Sequence, residues 1–366
     1  MAFSRVSKLA CILPLSSTNR YTVHMVDEIR LRAGEFTTLV RFYKTKEALL
    51  EGTDFQVFDT NTAVLFSEAG VPRHVWPAGE AHKTWPQVEA VLGQALDLGL
   101  ARDSTIAGIG GGVVTDMTAF AASLYMRGCR LVLVPTTLLA MVDAALGGKT
   151  GVDYRGYKNL VGSFYPAHEL RICPALLTTL SDREYRSGLA EVIKHAFLVD
   201  FHLLELLETR RDAVLARDSS VLEELVFRAV MVKVGVVERD LRETGERAFL
   251  NLGHTFGHAL EAVLGFDGSW THGEAVCWGM GRALDLGVTL GKTDLAWRKR
   301  ASALMEAYGF RLQAPGADSE AILAAMKKDK KKKGGLVRFV LQESQGKTWQ
   351  QPVEDEVVLG CLERGL

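Results

Sequence analysis

Cysteine is scarce: Cys11, Cys129, Cys173, Cys277 and Cys361 are the only five in 366 residues, and none stands in CxxC spacing. An odd, dispersed set argues against a disulfide framework or a thiolate zinc site and fits a reducing compartment. Net charge is missing as well. Lys and Arg total 43 and Asp and Glu 44, a balance of −1. Steering of a charged ligand therefore has to come from local clusters, and the overall balance names no nucleic acid. Nowhere do about 18 apolar residues run together, which excludes a membrane-spanning helix. Arg5 and Lys8 precede an apolar run from Leu9 to Leu15, but Pro14 interrupts it and it is too short for a secretory h-region. That segment reads as a frayed end or an edge strand, and the expected location is cytoplasmic.

What is present is globular in texture, with 48% hydrophobic and 24% charged residues, which rules out a disordered or collagen-like polymer. The length is two to three times that of a usual ~100–200-residue domain. From Thr37 to about Cys173, β-rich runs (Phe55 to Phe58, Thr105 to Ile109, Leu131 to Val134) alternate with helix-length segments, Trp85 to Leu98 and Val113 to Met126. That alternation predicts a parallel sheet covered by helices. After Pro174 the period becomes helical, over Arg183 to Asp200, Phe201 to Arg217, Ser220 to Asp240, His254 to Leu264 and His272 to Leu290. The expectation is an α/β domain over residues 1–174 and an all-α domain over 175–366. There is no internal repeat. The run from Lys327 to Lys333 has no interleaved aromatics and reads as a solvated or polyanion-facing stretch.

Several segments carry chemistry. IAGIGGGVVTD, Ile106 to Asp116, puts glycines where a strand meets a helix, so the backbone can approach a phosphate and the helix N-terminus can face a pyrophosphate. A turn that only tightens strand–helix packing would look the same. VPTTLL from Val134, then Asp143 and Gly147-Gly148-Lys149-Thr150, place hydroxyls, a carboxylate and a lysine after strands, where open α/β sheets bind ligands. Arg127, Lys149 and Lys158-Asn159 suit an anionic substrate. On a helical wheel Glu191, Lys194 and His195 share one arc within an apolar surround, which points that arc at a buried cleft; an intrahelical surface ion pair is the plain alternative. Asn251, His254, His258 and Glu261 share another face. His254 and His258, one turn apart, could hold one divalent metal, or be a ligand beside a group that handles protons. His272 opens the next long helix and is free to point into a cleft. Glu191 with two of these histidines makes a His/His/carboxylate set that leaves metal positions open, as catalytic zinc requires.

Taken together, these motifs resemble the sugar phosphate cyclases, most closely those of the 3-dehydroquinate synthase type. The series runs in order from about Asp59 to Phe339: GE-x-x-K at Glu80 and Lys83, GGG-x-x-x-D from Gly110 to Asp116, YMRG at 125–128, PTTLLA-x-VD at 135–143 and GGKTGVD at 147–153. KN at 158–159, GLAEVIK at 188–194, NLGHTFGHA at 251–259, HGEAV at 272–276 and DKK at 329–331 complete it.

The resemblance implies a Rossmann-like nucleotide-binding domain, a helical metal-binding domain with the active site between them, bound NAD, one zinc or cobalt ion, and a homodimer. It implies NAD contacts at Asp59, Asn61, Glu80, Lys83, Gly111, Gly112, Asp116, Thr136, Thr137, Asp143 and Lys158, and metal ligands Glu191, His254 and His272. It gives catalytic roles to Lys149, Lys194, Asn251 and His258, and substrate contacts to Arg127, Asn159, Lys233, Arg247 and Lys330. The implied reaction is cyclisation of 3-deoxy-arabino-heptulosonate 7-phosphate, with no nucleic acid or membrane partner. Tyr157, Tyr165-Pro166-Ala167 and Cys173 depart from the pattern, whereas Asn251 and His258 keep it. Cyclases of sedoheptulose 7-phosphate, an amino analogue or glucose 6-phosphate are the nearest alternatives. A metal-dependent polyol dehydrogenase and a polyanion-binding protein are more distant ones.

Overall fold

The computed structural model of the chain describes residues 27–67, 70–265, 268–331 and 337–364. The apolar segment at Leu9 to Leu15 lies outside the described residues. In chain order, the first half consists of β1 (Glu28–Ala33), β2 (Phe36–Phe42), β3 (Phe55–Asp59), β4 (Arg73–Trp76), α1 (Trp85–Asp97), β5 (Thr105–Gly110), α2 (Gly112–Leu124), β6 (Arg130–Pro135), β7 (Lys149–Tyr154), β8 (Tyr157–Phe164) and β9 (Glu169–Ile172). Seven strands form one sheet in the order β1-β2-β9-β6-β5-β3-β4, and β7 with β8 forms a separate antiparallel hairpin. Only the β1–β2 pair of the large sheet is antiparallel.

Residue choice explains this arrangement. The β5 string TIAGIG is buried throughout and β6 buries all but Arg130, as strands covered on both faces must. Edge strand β1, EIRLRA, alternates exposed and buried, as a one-sided antiparallel strand does. From β3 the chain steps outward to β4, then returns to build β5, β6 and β9 on the other side. The carboxyl ends of β3 and β5 are thus a topological switch point, where α/β sheets open a crevice. Asp59 ends β3, Gly110 to Gly112 join β5 to α2, and the Thr136 backbone N–H after β6 donates to the Gly110 carbonyl at 2.9 Å.

The second half is helical: α3 (Asp182–Leu198), α4 (Phe201–Thr209), α5 (Arg211–Leu215), α6 (Ser219–Arg239), α7 (His254–Val263), α8 (His272–Thr289), α9 (Leu295–Ala307) and α10 (Ser319–Lys331), then the hairpin β10 (Arg338–Ser344) and β11 (Lys347–Pro352), and α11 (Asp355–Glu363). None of the described helices is long and apolar enough to cross a membrane. The helix read as continuous from Phe201 to Arg217 breaks at Arg210, which leaves helical geometry at φ −119°. The β10–β11 hairpin is an addition to a half read as all helix. It caps α3: Gln342 Nε2 donates to the Phe197 carbonyl at 2.7 Å, and Gln345 Nε2 to the Ala196 carbonyl at 2.8 Å. From Ser187 to Leu198 every residue of α3 is buried, so this helix is the axis about which the site is arranged.

Candidate active site

Three helices bring one carboxylate and three imidazoles together. α3 starts on a Ser181 cap, whose hydroxyl accepts the Glu184 N–H, and carries the fully buried Glu191. α8 starts on a capping box, Thr271 Oγ1 with the Glu274 N–H and Glu274 Oε2 with the Thr271 N–H, so His272 opens its first turn. The two helices touch at Gly273, whose N–H donates to Ser187 Oγ at 3.1 Å. α7 begins only at His254. Gly253 before it is left-handed (φ 83°), and a Cβ there would lie 2.6 Å from the Val276 carbonyl oxygen. Asn251 therefore sits in the preceding turn and not on the helical face with His254, His258 and Glu261 where the period puts it.

Nε2 of His254 and of His272 stand 3.6 and 3.8 Å from Glu191 Oε1. That oxygen is buried and has no hydrogen-bond partner. A buried carboxylate oxygen left in this condition is unfavourable unless a cation takes it, and two imidazoles with one carboxylate suit zinc with positions left open. The remaining ring nitrogens are held from outside. His254 Nδ1 faces the Leu252 carbonyl at 3.4 Å, and His272 Nδ1 faces Glu261 Oε2 at 3.4 Å. Burial, with the Lys194 charge, holds His254 well below the usual imidazole range, so it offers a neutral donor. Burial opposes charge on His272 too, but Glu261 and Glu191 outweigh it and raise its pKa. His258 completes a triad of imidazoles, its ring 5.1 Å from that of His254 and 5.8 Å from that of His272. A second convergence, Asp143, Glu191 and His195, has ligand atoms within 4.8 Å of one another. There the Lys233 and Lys194 ammoniums already occupy Asp143 Oδ1 and Glu191 Oε2, which disfavours a cation. Burial, then Lys194, lowers His195 to about 3, so its ring is neutral.

Four of the lysines expected at the cleft are paired. Lys194 is bonded to Glu191, Lys233 to Asp143, Lys149 to Glu243, and Lys158 reaches Glu261 Oε1 at 3.5 Å. Burial opposes ionisation of Asp143, but Lys233 and Lys194 hold its carboxyl well below the usual range. Arg247 is buried and donates to the Gly147 and Leu241 carbonyls. Gly147 is left-handed (φ 95°), which favours glycine, and a Cβ there would meet that guanidinium. Glu243 is a residue sequence reasoning missed: its carboxylate accepts from both Lys149 and Asn251, and an acid in a loop gives no periodic signal.

On the nucleotide side, Gly111 is the N-cap of α2 with no side chain covering the cap, so the first N–H groups of that helix are open at the switch point. Thr137 packs against Gly111, 3.1 Å from where a Cβ would lie. Lys83 is buried and bridges Asp116 Oδ2 and Asn159 Oδ1, each at 2.6 Å. Asp59 Oδ1 accepts from the N–H groups of Asn61 and Thr62, which shapes the loop after β3. Glu80 starts the turn that leads to Lys83. Arg127 is not drawn into these contacts: it is exposed, left-handed at φ 64°, and bonded to none of the described residues. The side chain of Lys330 lies outside the described residues; its backbone belongs to the last turn of α10.

Glycines at a sheet switch point, a buried carboxylate–imidazole cluster and lysines paired with acids together suit an enzyme that works on an anionic substrate. Comparison with known proteins makes the assignment particular. Family models described as 3-dehydroquinate synthase N-terminal and C-terminal match residues 73–187 and 188–332. A 3-dehydroquinate synthase of Acidithiobacillus ferrooxidans is 44% identical over 304 residues, covering 80% of this chain and 83% of that protein. Among solved structures, the 2-epi-5-epi-valiolone synthase of Streptomyces hygroscopicus subsp. jinggangensis, with NAD+ and Zn2+ bound, aligns at TM-score 0.81 and 28% identity over 94% of this chain and 99% of that one. A probable glycerol dehydrogenase of Sinorhizobium meliloti, at 16% identity and TM-score 0.64 over 87% and 91% of the two chains, shares the fold alone. The chain belongs to the 3-dehydroquinate synthase family, and it is an enzyme of the sugar phosphate cyclase class.

Proposed function

We propose that the chain cyclises 3-deoxy-arabino-heptulosonate 7-phosphate to 3-dehydroquinate with release of phosphate, using NAD and one zinc or cobalt ion. The observation that carries this reading is the partnerless Glu191 Oε1 facing two Nε2 atoms, set among lysines that suit a ligand with both a carboxylate and a phosphate. Glu191, His254 and His272 would hold the metal. Gly111, Gly112, Thr136 and Thr137 would receive the dinucleotide, with Asp59, Asn61, Glu80, Lys83, Asp116, Asp143 and Lys158 around it. Bound NAD would supply a reversible hydride acceptor and the metal a Lewis acid, so that no net redox change would result. Lys233 and Arg247 orient the substrate's acidic groups, with Arg127, Asn159 and Lys330 as further contacts. Lys149 and Asn251 act on the same ligand from the side held by Glu243. Lys194 steadies Glu191, and His258, beside the metal ligands, is placed to move a proton.

The test is phosphate release by the purified protein from the heptulosonate, with and without chelator. Release that stops on chelation, without accumulation of NADH, is expected. Release from sedoheptulose 7-phosphate alone, or NADH accumulating with a polyol, would overturn the assignment.

The same reading includes two domains, residues 1–174 and 175–366, supported by the sheet ending at Ile172 and Pro174 opening the turn before α3. It includes a homodimer, for which the exposed apolar side chains Leu124, Met126, Leu160 and Phe164, each at least 40% exposed, are candidate contacts. Sedimentation of the intact protein tests that contact. It includes a cytoplasmic location, which four buried, unbridged cysteines support.

A further inference from the structure

We infer that Glu261 is a positioning residue of the metal centre, the group that aims His272 and ties it to the strand facing the nucleotide crevice. Its two oxygens serve different parts of the molecule. Oε2 faces His272 Nδ1 at 3.4 Å, and Oε1 faces Lys158 Nζ at 3.5 Å. A carboxylate at Nδ1 selects the tautomer with the proton on that nitrogen, which leaves the Nε2 lone pair for a cation. Nε2 is the atom that faces Glu191 Oε1. His254 is oriented in the same sense by the Leu252 carbonyl at its Nδ1, so the two ligands present equivalent atoms. One carbonyl and one carboxylate behind a pair of imidazoles is the outer support that metal-binding histidines need.

The placement of Glu261 makes the support firm. It is buried, one helical turn beyond Gly257, where α7 runs against α8 so tightly that a Cβ would lie 2.8 Å from the Ala275 carbonyl oxygen. It cannot swing to water without leaving His272 unsupported. Lys158 adjoins Asn159, whose amide oxygen accepts from Lys83, itself paired with Asp116. Glu261 thus ties His272 to Lys158 of β8, whose chain neighbour Asn159 is bonded through Lys83 to Asp116 of α2.

This inference rests on the metal reading above, and the experiment separates the two. Dissociation constants for Zn2+ are measured on the full chain by competition with a chromophoric chelator, for the parent, Glu261→Ala, Glu261→Gln and His272→Ala. The Co2+-loaded forms are compared by their visible absorption. Glu261→Ala should weaken Zn2+ binding about 10- to 100-fold. Glu261→Gln keeps an oxygen for Nδ1–H but not the charge, and should lose less, with a shifted Co2+ band in both. The metal-free variants should keep the parental far-UV circular dichroism and unfold in one cooperative transition, which a general loss of structure would not permit. His272→Ala losing Zn2+ while both Glu261 variants keep parental affinity and spectrum would overturn the role of Glu261 alone. His272→Ala retaining Zn2+ at parental affinity would overturn the metal reading itself. Should Glu261→Ala fail to fold, the isosteric Gln variant decides by the same two readouts.

Discussion

Glycine at position 273 holds Glu191 and His272 together, and replacing it with alanine tests the whole packing account. An added Cβ would lie 2.1 Å from the Ser187 carbonyl oxygen and 2.6 Å from its Cα. Both are backbone atoms of the buried stretch of α3 and cannot rotate away, so α3 and α8 have to part by about 1 Å at the crossing to restore an ordinary contact. His272 is the next residue back on α8, and Glu191 is one turn along α3 from Ser187. The displacement therefore falls on the 3.8 Å approach of His272 Nε2 to Glu191 Oε1. Overpacking of this kind costs about 1–3 kcal/mol. A misplacement of about 1 Å among reacting groups is worth about 100-fold in rate. Gly273→Ala should thus melt several degrees lower and lose about two orders of magnitude in phosphate release. Dinucleotide affinity should stay intact, because α2 and its glycines are elsewhere. The assays are thermal unfolding of the metal-free protein and steady-state phosphate release. Parental melting and parental turnover together would refute the claim that this crossing sets the ligand geometry.

The same substitution has the opposite sign where space is open. Gly93 lies inside α1 with nothing within 4 Å of where a Cβ would stand, so Gly93→Ala should stabilise by about 0.4–1 kcal/mol in urea unfolding. Gln342→Leu should destabilise by about 1–3 kcal/mol, because Trp297 Nε1, which donates to Gln342 Oε1 at 3.0 Å, is left buried without an acceptor; turnover should fall with it as the end of α3 loosens. Burial opposes ionisation of Glu169, but hydrogen bonds and charge from Arg171 and Arg41 outweigh it and hold the carboxyl below its ordinary 4.5. A depressed folded-state value gives stability that is complete above about 4.5 and drains as pH falls through the folded value. Glu169→Gln should therefore lower stability at neutral pH and flatten its acid dependence, read as melting temperature against pH.

The parts of this structure that could be read from sequence are those decided within one element. β5 and β6 are apolar beyond their first residue because both faces are covered, and that leaves a plain signature. The arc of Glu191, Lys194 and His195 was legible because every other position around it is apolar, and all three prove buried. Thr271 and Glu274 announce the start of α8 three residues apart. What escaped depends on contacts between distant segments. Glu243 meets Lys149 across 94 residues of chain. Asn251 leaves the helical face because Gly253 takes a left-handed turn beneath Val276, a constraint set by α8 and invisible in the period of α7. The β10–β11 hairpin gains its place from α3, whose terminal carbonyls it caps, and its second strand, KTWQQP, has no fully buried residue to mark it.

The paired lysines decide what kind of ligand can enter. Lys149, Lys158, Lys194 and Lys233 lean on Glu243, Glu261, Glu191 and Asp143 respectively. This is how ammoniums as buried as Lys194 and Lys233 are kept, since removing either member of such a pair costs about 3–5 kcal/mol. A neutral polyol offers nothing to replace a carboxylate and would have to bind beside intact pairs. A ligand that brings its own carboxylate and phosphate can substitute for an acid at a lysine without leaving charge unpaired. Arg247 differs from the lysines. Its guanidinium is buried, yet it donates to the Gly147 and Leu241 carbonyls and forms no ion pair with a described carboxylate. Burial lowers its pKa, but a guanidinium remains charged at any working pH. It is therefore a desolvated positive charge that feels Glu243, Asp143 and Asp240 without a direct ion pair to any of them, so an anion can reach it without breaking one. On the proposed reading, an acidic substrate that reaches this buried guanidinium gains an ion pair there, whereas at the lysines it has to displace an acid.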